Sequence, residues 1–138
     1  MPIMTWDRSL DIGVHDMNRE HQDILDAMNA IYDAHQAGKR GAPINSMIAH
    51  LGAVTTRHFR DEEAFMARIG YADRENHKRI HGKLLRDFAA HQATAEAAGG
   101  SPSPEFFQFL RLWLSAHIKC IDLKYAEFSR KAAKAPVR

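Results

Sequence analysis

The chain has 138 residues, of which 45% are apolar and 26% charged, with a formal net charge of +2. That length suits one domain with a full hydrophobic core and is short for two. A balance this close to neutral gives no basic face for nucleic acid, and no stretch approaches the ~18 uninterrupted apolar residues of a membrane span.

Residues 1–15 read as an extended N-terminal arm, anchored by Trp6, Leu10, Ile12 and Val14, with Gly13 marking a turn. From about residue 16 the apolar period becomes helical. Met17, His21, Ile24, Leu25, Met28, Ile31 and Tyr32 share one face of a first helix, 16–37, that ends at Gly38 and Gly41. Pro43 suits the first turn of a second helix, 43–69, whose stripe runs Ile44, Met47, Ile48, Leu51, Val54, His58, Glu62, Phe65, Met66 and Ile69 before Gly70 stops it. Asp73 is placed to cap a third helix, 73–98, with the stripe His77, Ile80, His81, Leu84, Leu85 and Phe88. Ser103-Pro104-Glu105 opens a fourth, 104–130, with the stripe Phe106, Phe109, Leu110, Trp113, Leu114, His117, Cys120, Ile121, Tyr125 and Phe128. No segment alternates with period two. The expected fold is all-α, an up-down-up-down four-helix bundle forming a single domain over 1–138.

Each stripe carries histidine or carboxylate where leucine would be ordinary: His21 on the first helix, His58 and Glu62 on the second, His77 and His81 on the third, His117 and Asp122 on the fourth. A buried polar group without a partner costs roughly 2–7 kcal/mol. Seven of them uncompensated would erase a total stability of about 5–15 kcal/mol. They must satisfy one another, bind water or hold metal. So many donors exceed the tetrahedral set of one zinc and suit two ions. Imidazole with carboxylate is acceptable to iron, manganese or zinc. If both ions are six-coordinate and both carboxylates bridge, with one bridging oxygen, a single coordination position stays open for a small ligand. The spacing of His117 and Asp122 is awkward, because residues five apart lie about 140° apart around an α-helix. A π-bulge, which aligns such residues, or a sideways reach by Asp122 would resolve it. The other histidines, His15, His35, His50 and His91, read as surface or helix-end residues.

With these residues in place, the chain resembles the bacterial hemerythrins, non-haem di-iron oxygen carriers. The family pattern is one histidine on the first helix, His-x-x-x-Glu on the second, His-x-x-x-His on the third and His-x-x-x-x-Asp on the fourth, and all seven positions are filled here. Trp6-Asp7, Leu10, Gly13 and Val14 in the arm resemble bacterial members too, as do Phe59, Glu63, Met66, Tyr71, Trp113, Ile118 and Tyr125. The resemblance implies that His77, His81 and His117 hold one iron and His21 and His58 the other. Glu62 and Asp122 would bridge them together with an oxide or hydroxide. It also implies that dioxygen binds at the two-histidine iron, in a pocket to which Leu114 and Trp113 belong. The chain departs from the family at Met17-Asn18-Arg19-Glu20-His21, where Ile-Asp-x-Gln-His is frequent, and at Ala72, where a proline often follows the tyrosine matched by Tyr71.

A pocket of Ile, Leu, Phe and Trp offers few proton donors, which suits reversible binding over turnover. Di-iron enzymes of the ferritin-like kind carry Glu-x-x-His, and no glutamate here has a histidine three residues later. The expected function is reversible dioxygen storage, transport or delivery. The alternatives are an oxygen or redox sensor, a di-iron enzyme acting on peroxide or nitric oxide, an iron reservoir, and a zinc hydrolase. An oxygen-consuming enzyme is a possible recipient, and no nucleic-acid or membrane partner is expected. A monomer is expected because the helices spend their apolar faces internally. Cys120, the lone cysteine, can form no internal disulfide and reads as a small buried hydrophobe. MPIMTWDRSLDIG lacks the pattern of a signal peptide, so the expected location is cytoplasmic. The basic residues from Arg130 to Arg138 read as a solvated tail.

Overall fold

In the computed structural model, which describes residues 3–134, helix α1 runs His15–Gln36, α2 Ala42–Ile69, α3 Arg74–Ala97 and α4 Pro104–His117. A π-helical segment, Ile118–Asp122, joins α4 to α5, Leu123–Lys134, so these pieces make one fourth rod. The rods form the expected antiparallel four-helix bundle, with no strand among the described residues. The end of the basic tail, 135–138, lies outside them.

The punctuation falls where local chemistry demands it. The Ser103 side chain accepts the Phe106 N–H at 3.1 Å and caps α4, with Pro104 in the first turn. Gly70 ends α2 in the left-handed conformation, φ 71°. Asp73 occupies the cap position of α3, but its carboxylate accepts from Asn76 Nδ2 at 3.4 Å and not from the helix backbone. The two loops at one end of the bundle meet at Gly41 and Gly100, where a Cβ on Gly100 would overlap the Gly41 backbone.

The N-terminal segment is less uniformly extended than the sequence suggests. It contains a 3-10 turn, Arg8–Leu10, whose Leu10 is buried and which packs on the π segment. Two asparagines tie the segment to α1. Asn29 accepts the N–H groups of Ile3 (2.9 Å) and Met4 (3.2 Å), and Asn18 accepts that of Ile12 (3.0 Å).

The core is asymmetric along the bundle. Toward the loops 37–41 and 98–103 it is wholly apolar, built from Met28, Ile31, Ile44, Ile48, Leu51, Phe106 and Leu110, each 1% exposed or less. On α3 the expected stripe is thinner than the period implies, because Ile80, Leu84 and Leu85 are only half-buried. Further along the bundle, the predicted histidines and carboxylates take over the core.

Candidate metal centre

All seven predicted donors converge in the interior. His21, His58, His77 and His81 are at most 2% exposed, His117 is 6% exposed, and Glu62 and Asp122 are fully buried. On α2 and α3 the spacing of four places each pair one turn apart on the inner face. On the fourth rod the π segment does the equivalent. The Leu123 N–H bonds back five residues to the Ile118 carbonyl, which stacks residues five apart. His117 Nε2 and Asp122 Oδ1 therefore come within 3.0 Å.

The two carboxylates divide their oxygens between two groups of imidazoles. Glu62 Oε1 faces His81 Nε2 at 3.1 Å and His77 Nε2 at 4.0 Å, while Oε2 faces His21 Nε2 at 3.4 Å and His58 Nε2 at 3.3 Å. Asp122 Oδ1 faces His77 Nε2 at 3.1 Å as well as His117, and Oδ2 faces His21 Nε2 at 2.9 Å. The donor atoms of Glu62, His77, His81, His117 and Asp122 lie within 4.8 Å of one another, and so do those of His21, His58, Glu62 and Asp122. Both carboxylates belong to both clusters.

Whether a metal fits can be judged from the unpaired atoms. All five Nε2 atoms, Glu62 Oε1 and both Asp122 oxygens are buried without an aligned hydrogen bond. Buried polar groups are ordinarily paired, so this many converging orphans suit a charged guest of borderline softness. The chain's own charges only partly compensate. Burial pushes Glu62 up, but the charge of His58 foremost and the close imidazoles of His21 and His81 hold it well below the usual carboxylate range. Burial and Glu62 push Asp122 up, and His117 and His21 overcome them, so it too is depressed. Burial pushes His58 down, and Glu62 and Glu20 raise it to about 10. His21 is also raised, by Asp122 and Glu62 against its burial. A metal taking Nε2 would therefore displace protons.

Three supporting groups are not evident from the ligand pattern. His58 Nδ1–H donates to Glu20 Oε1 at 2.7 Å, His81 Nδ1–H donates to Glu63 Oε2 at 2.9 Å, and the Tyr125 hydroxyl donates to Glu62 Oε2 at 2.6 Å. Burial and the charge of Glu62 raise Tyr125 well above its ordinary value, which keeps it a donor. Glu20 and Glu63 each sit beside a donor in the chain, and Glu63 and Tyr125 also belong to the residues that resemble bacterial hemerythrins. Phe59 lies flat on His81, centroids 3.8 Å apart, and meets Trp113 edge-on at 6.2 Å. Trp113 and Leu114 are both buried on α4, and the Trp113 indole N–H has no partner.

A family model described as "Hemerythrin HHE cation binding domain" matches residues 12–128. The chain belongs to the hemerythrin family. Among hemerythrin relatives, a bacteriohemerythrin of Pseudomonas paraeruginosa is 30% identical over the whole chain and 89% of its own length. A bacteriohemerythrin of Methylococcus capsulatus is 31% identical over 91% of this chain and 95% of its own. A crystal structure of wild-type hemerythrin superposes with a TM-score of 0.81 at 30% identity, covering 90% of this chain and 95% of that one. A hemerythrin leucine-to-alanine mutant does so with a TM-score of 0.83 at 30% identity, covering 92% and 97%.

One expectation fails at this site. Cys120 is exposed and not buried. An α-helix would put it near the face of His117, three residues earlier. In the π segment the turn is wider, and residue 120 swings outward.

Proposed function

We propose that this hemerythrin-family protein holds two iron ions and binds dioxygen reversibly. The observation that carries the reading is the pair of overlapping donor clusters sharing Glu62 and Asp122. His77, His81 and His117 would hold one iron, His21 and His58 the other, and the two carboxylates would span both. Two ferrous ions, when bound, supply the two electrons that capture of dioxygen takes up. The half with fewer imidazoles has fewer protein donors and leaves room for the gas.

The chain's own residues favour binding over turnover. Phe59 covers His81 of the larger cluster with Trp113 beside it, Leu114 is buried one turn before His117, and Leu114 and Trp113 are the proposed lining of the oxygen pocket. The nearest hydroxyl proton, that of Tyr125, is committed to Glu62. With the Tyr125 proton committed and apolar side chains around the clusters, loss of reduced oxygen by protonation would be slowed, which suits a store or carrier better than an enzyme. Leu112 is the one large hydrophobic exposed among the described residues, so a monomer is the proposed state. No described helix is long and apolar enough to cross a membrane. A cytoplasmic store that delivers to an oxygen-consuming enzyme is the role proposed.

Anaerobic titration of the metal-free chain with ferrous iron tests the assignment. Saturation at two per chain is expected, and saturation at one, or preference for zinc at one per chain, would refute it. Steady consumption of peroxide with a reducing substrate would move the reading to an enzyme.

A further inference from the structure

The two clusters differ in what stands behind their imidazoles. In the smaller one, His58 donates its Nδ1–H to Glu20 Oε1 at 2.7 Å, whereas His21 Nδ1 is buried with no partner. In the larger, His81 donates to Glu63 Oε2 at 2.9 Å, and His77 Nδ1 has no partner. One carboxylate thus backs two imidazoles in the first case and three in the second. Further carboxylates stand around Glu20. Asp61 lies beside Glu20, which raises its pKa above the ordinary value. Both line an open groove of about 700 Å³ between α1 and α2, whose walls also carry Asp23, Asp26, Arg19, Arg57 and His50.

A carboxylate behind a metal-bound imidazole fixes which nitrogen carries the proton and makes the other a stronger donor. The short bond from a buried ring to a partly exposed carboxylate differs from a surface ion pair, because the ring cannot turn to water instead. We infer that Glu20 is a positioning residue that raises the electron density of the two-histidine half, acting through His58. The inference rests on the di-iron reading above. It assigns to this side chain the control of how readily that half gives up an electron and keeps its metal.

The test uses the iron-loaded full chain and the variants Glu20→Gln and Glu63→Gln. Glutamine keeps an oxygen to accept the Nδ1–H and removes only the charge, so folding is preserved. Loss of iron to a chelator and the midpoint potentials of the two irons are followed, with Mössbauer spectra giving one doublet per iron. In Glu20→Gln, one iron is expected to leave about tenfold faster. The potential of the same iron should rise, by about 59 mV if its redox equilibrium moves tenfold. The other iron should keep its wild-type values, and Glu63→Gln should act on that one. If Glu20→Gln leaves both irons unchanged, or shifts both alike, the positioning role is wrong while the di-iron reading stands. A wild type that binds fewer than two irons overturns that reading and this inference together.

Discussion

The two halves of the bundle core are built on opposite principles. Near the loops 37–41 and 98–103, Ile31, Ile44, Ile48, Leu51, Phe106 and Leu110 fill the space between the helices with groups that ask nothing of a partner. In the other half, five imidazoles and two carboxylates occupy equivalent inward positions and leave eight buried atoms at the centre unpaired. The first half stores folding energy as apolar burial. The second spends some of it to hold donors where a metal can collect them. Stability and metal binding should therefore separate under mutation.

The largest separation is expected from Glu62→Ala. Glu62 belongs to both clusters, so its loss should abolish two-iron binding, an effect beyond the about 10- to 100-fold typical of outer-shell changes. The metal-free helical content measured by circular dichroism should survive, since the imidazoles that lose Glu62 can shed their protons and stay neutral in the core. A Glu62→Ala chain that still binds two irons would mean the carboxylate is not shared. Next in size is the complementary change, Leu110→Ala. It should cost about 2–5 kcal/mol in denaturant unfolding, because it opens a cavity in the apolar half, yet keep two irons per chain.

Leu114→Ala probes the boundary between the halves. Iron should remain, while the oxygenated form decays faster than in the wild type as water gains access. An unchanged lifetime, or loss of iron, would remove Leu114 from the pocket. The smallest effect belongs to Ser103→Ala, which deletes the cap of α4. About 1 kcal/mol of stability should go, with iron content and oxygen binding untouched. A change in iron content here would show that the halves are not separable.

Much of this contrast was legible in the sequence. A donor where leucine is expected betrays itself through the helical period, and His21, His58, Glu62, His77, His81, His117 and Asp122 do converge. Even the five-residue step from His117 to Asp122 carried information, because only a widened turn or a sideways reach could bring both inward. The structure has the π segment. That same segment explains why Cys120 was misread, since a period of 3.6 extrapolated through it points the thiol inward. The roles of Glu20 and Glu63 behind His58 and His81 were hidden for a different reason, although Glu63 itself stands among the family-like residues. A carboxylate on a helix flank looks like any solvated residue, and only the tertiary placement of His58 and His81 gives it a partner. The thin stripe of α3 follows from packing too, because the neighbouring helices do not cover Ile80, Leu84 and Leu85 fully.

The central claim is that these donors hold two irons which take up and release dioxygen. The most direct measurement is iron content combined with visible spectra through a cycle of anaerobic reduction, admission of oxygen and its removal. Two irons per chain, with a charge-transfer band that rises under oxygen and fades when it is withdrawn, is the predicted result. Two irons that oxidise at once and never show the band, or a chain that holds no iron, would contradict it.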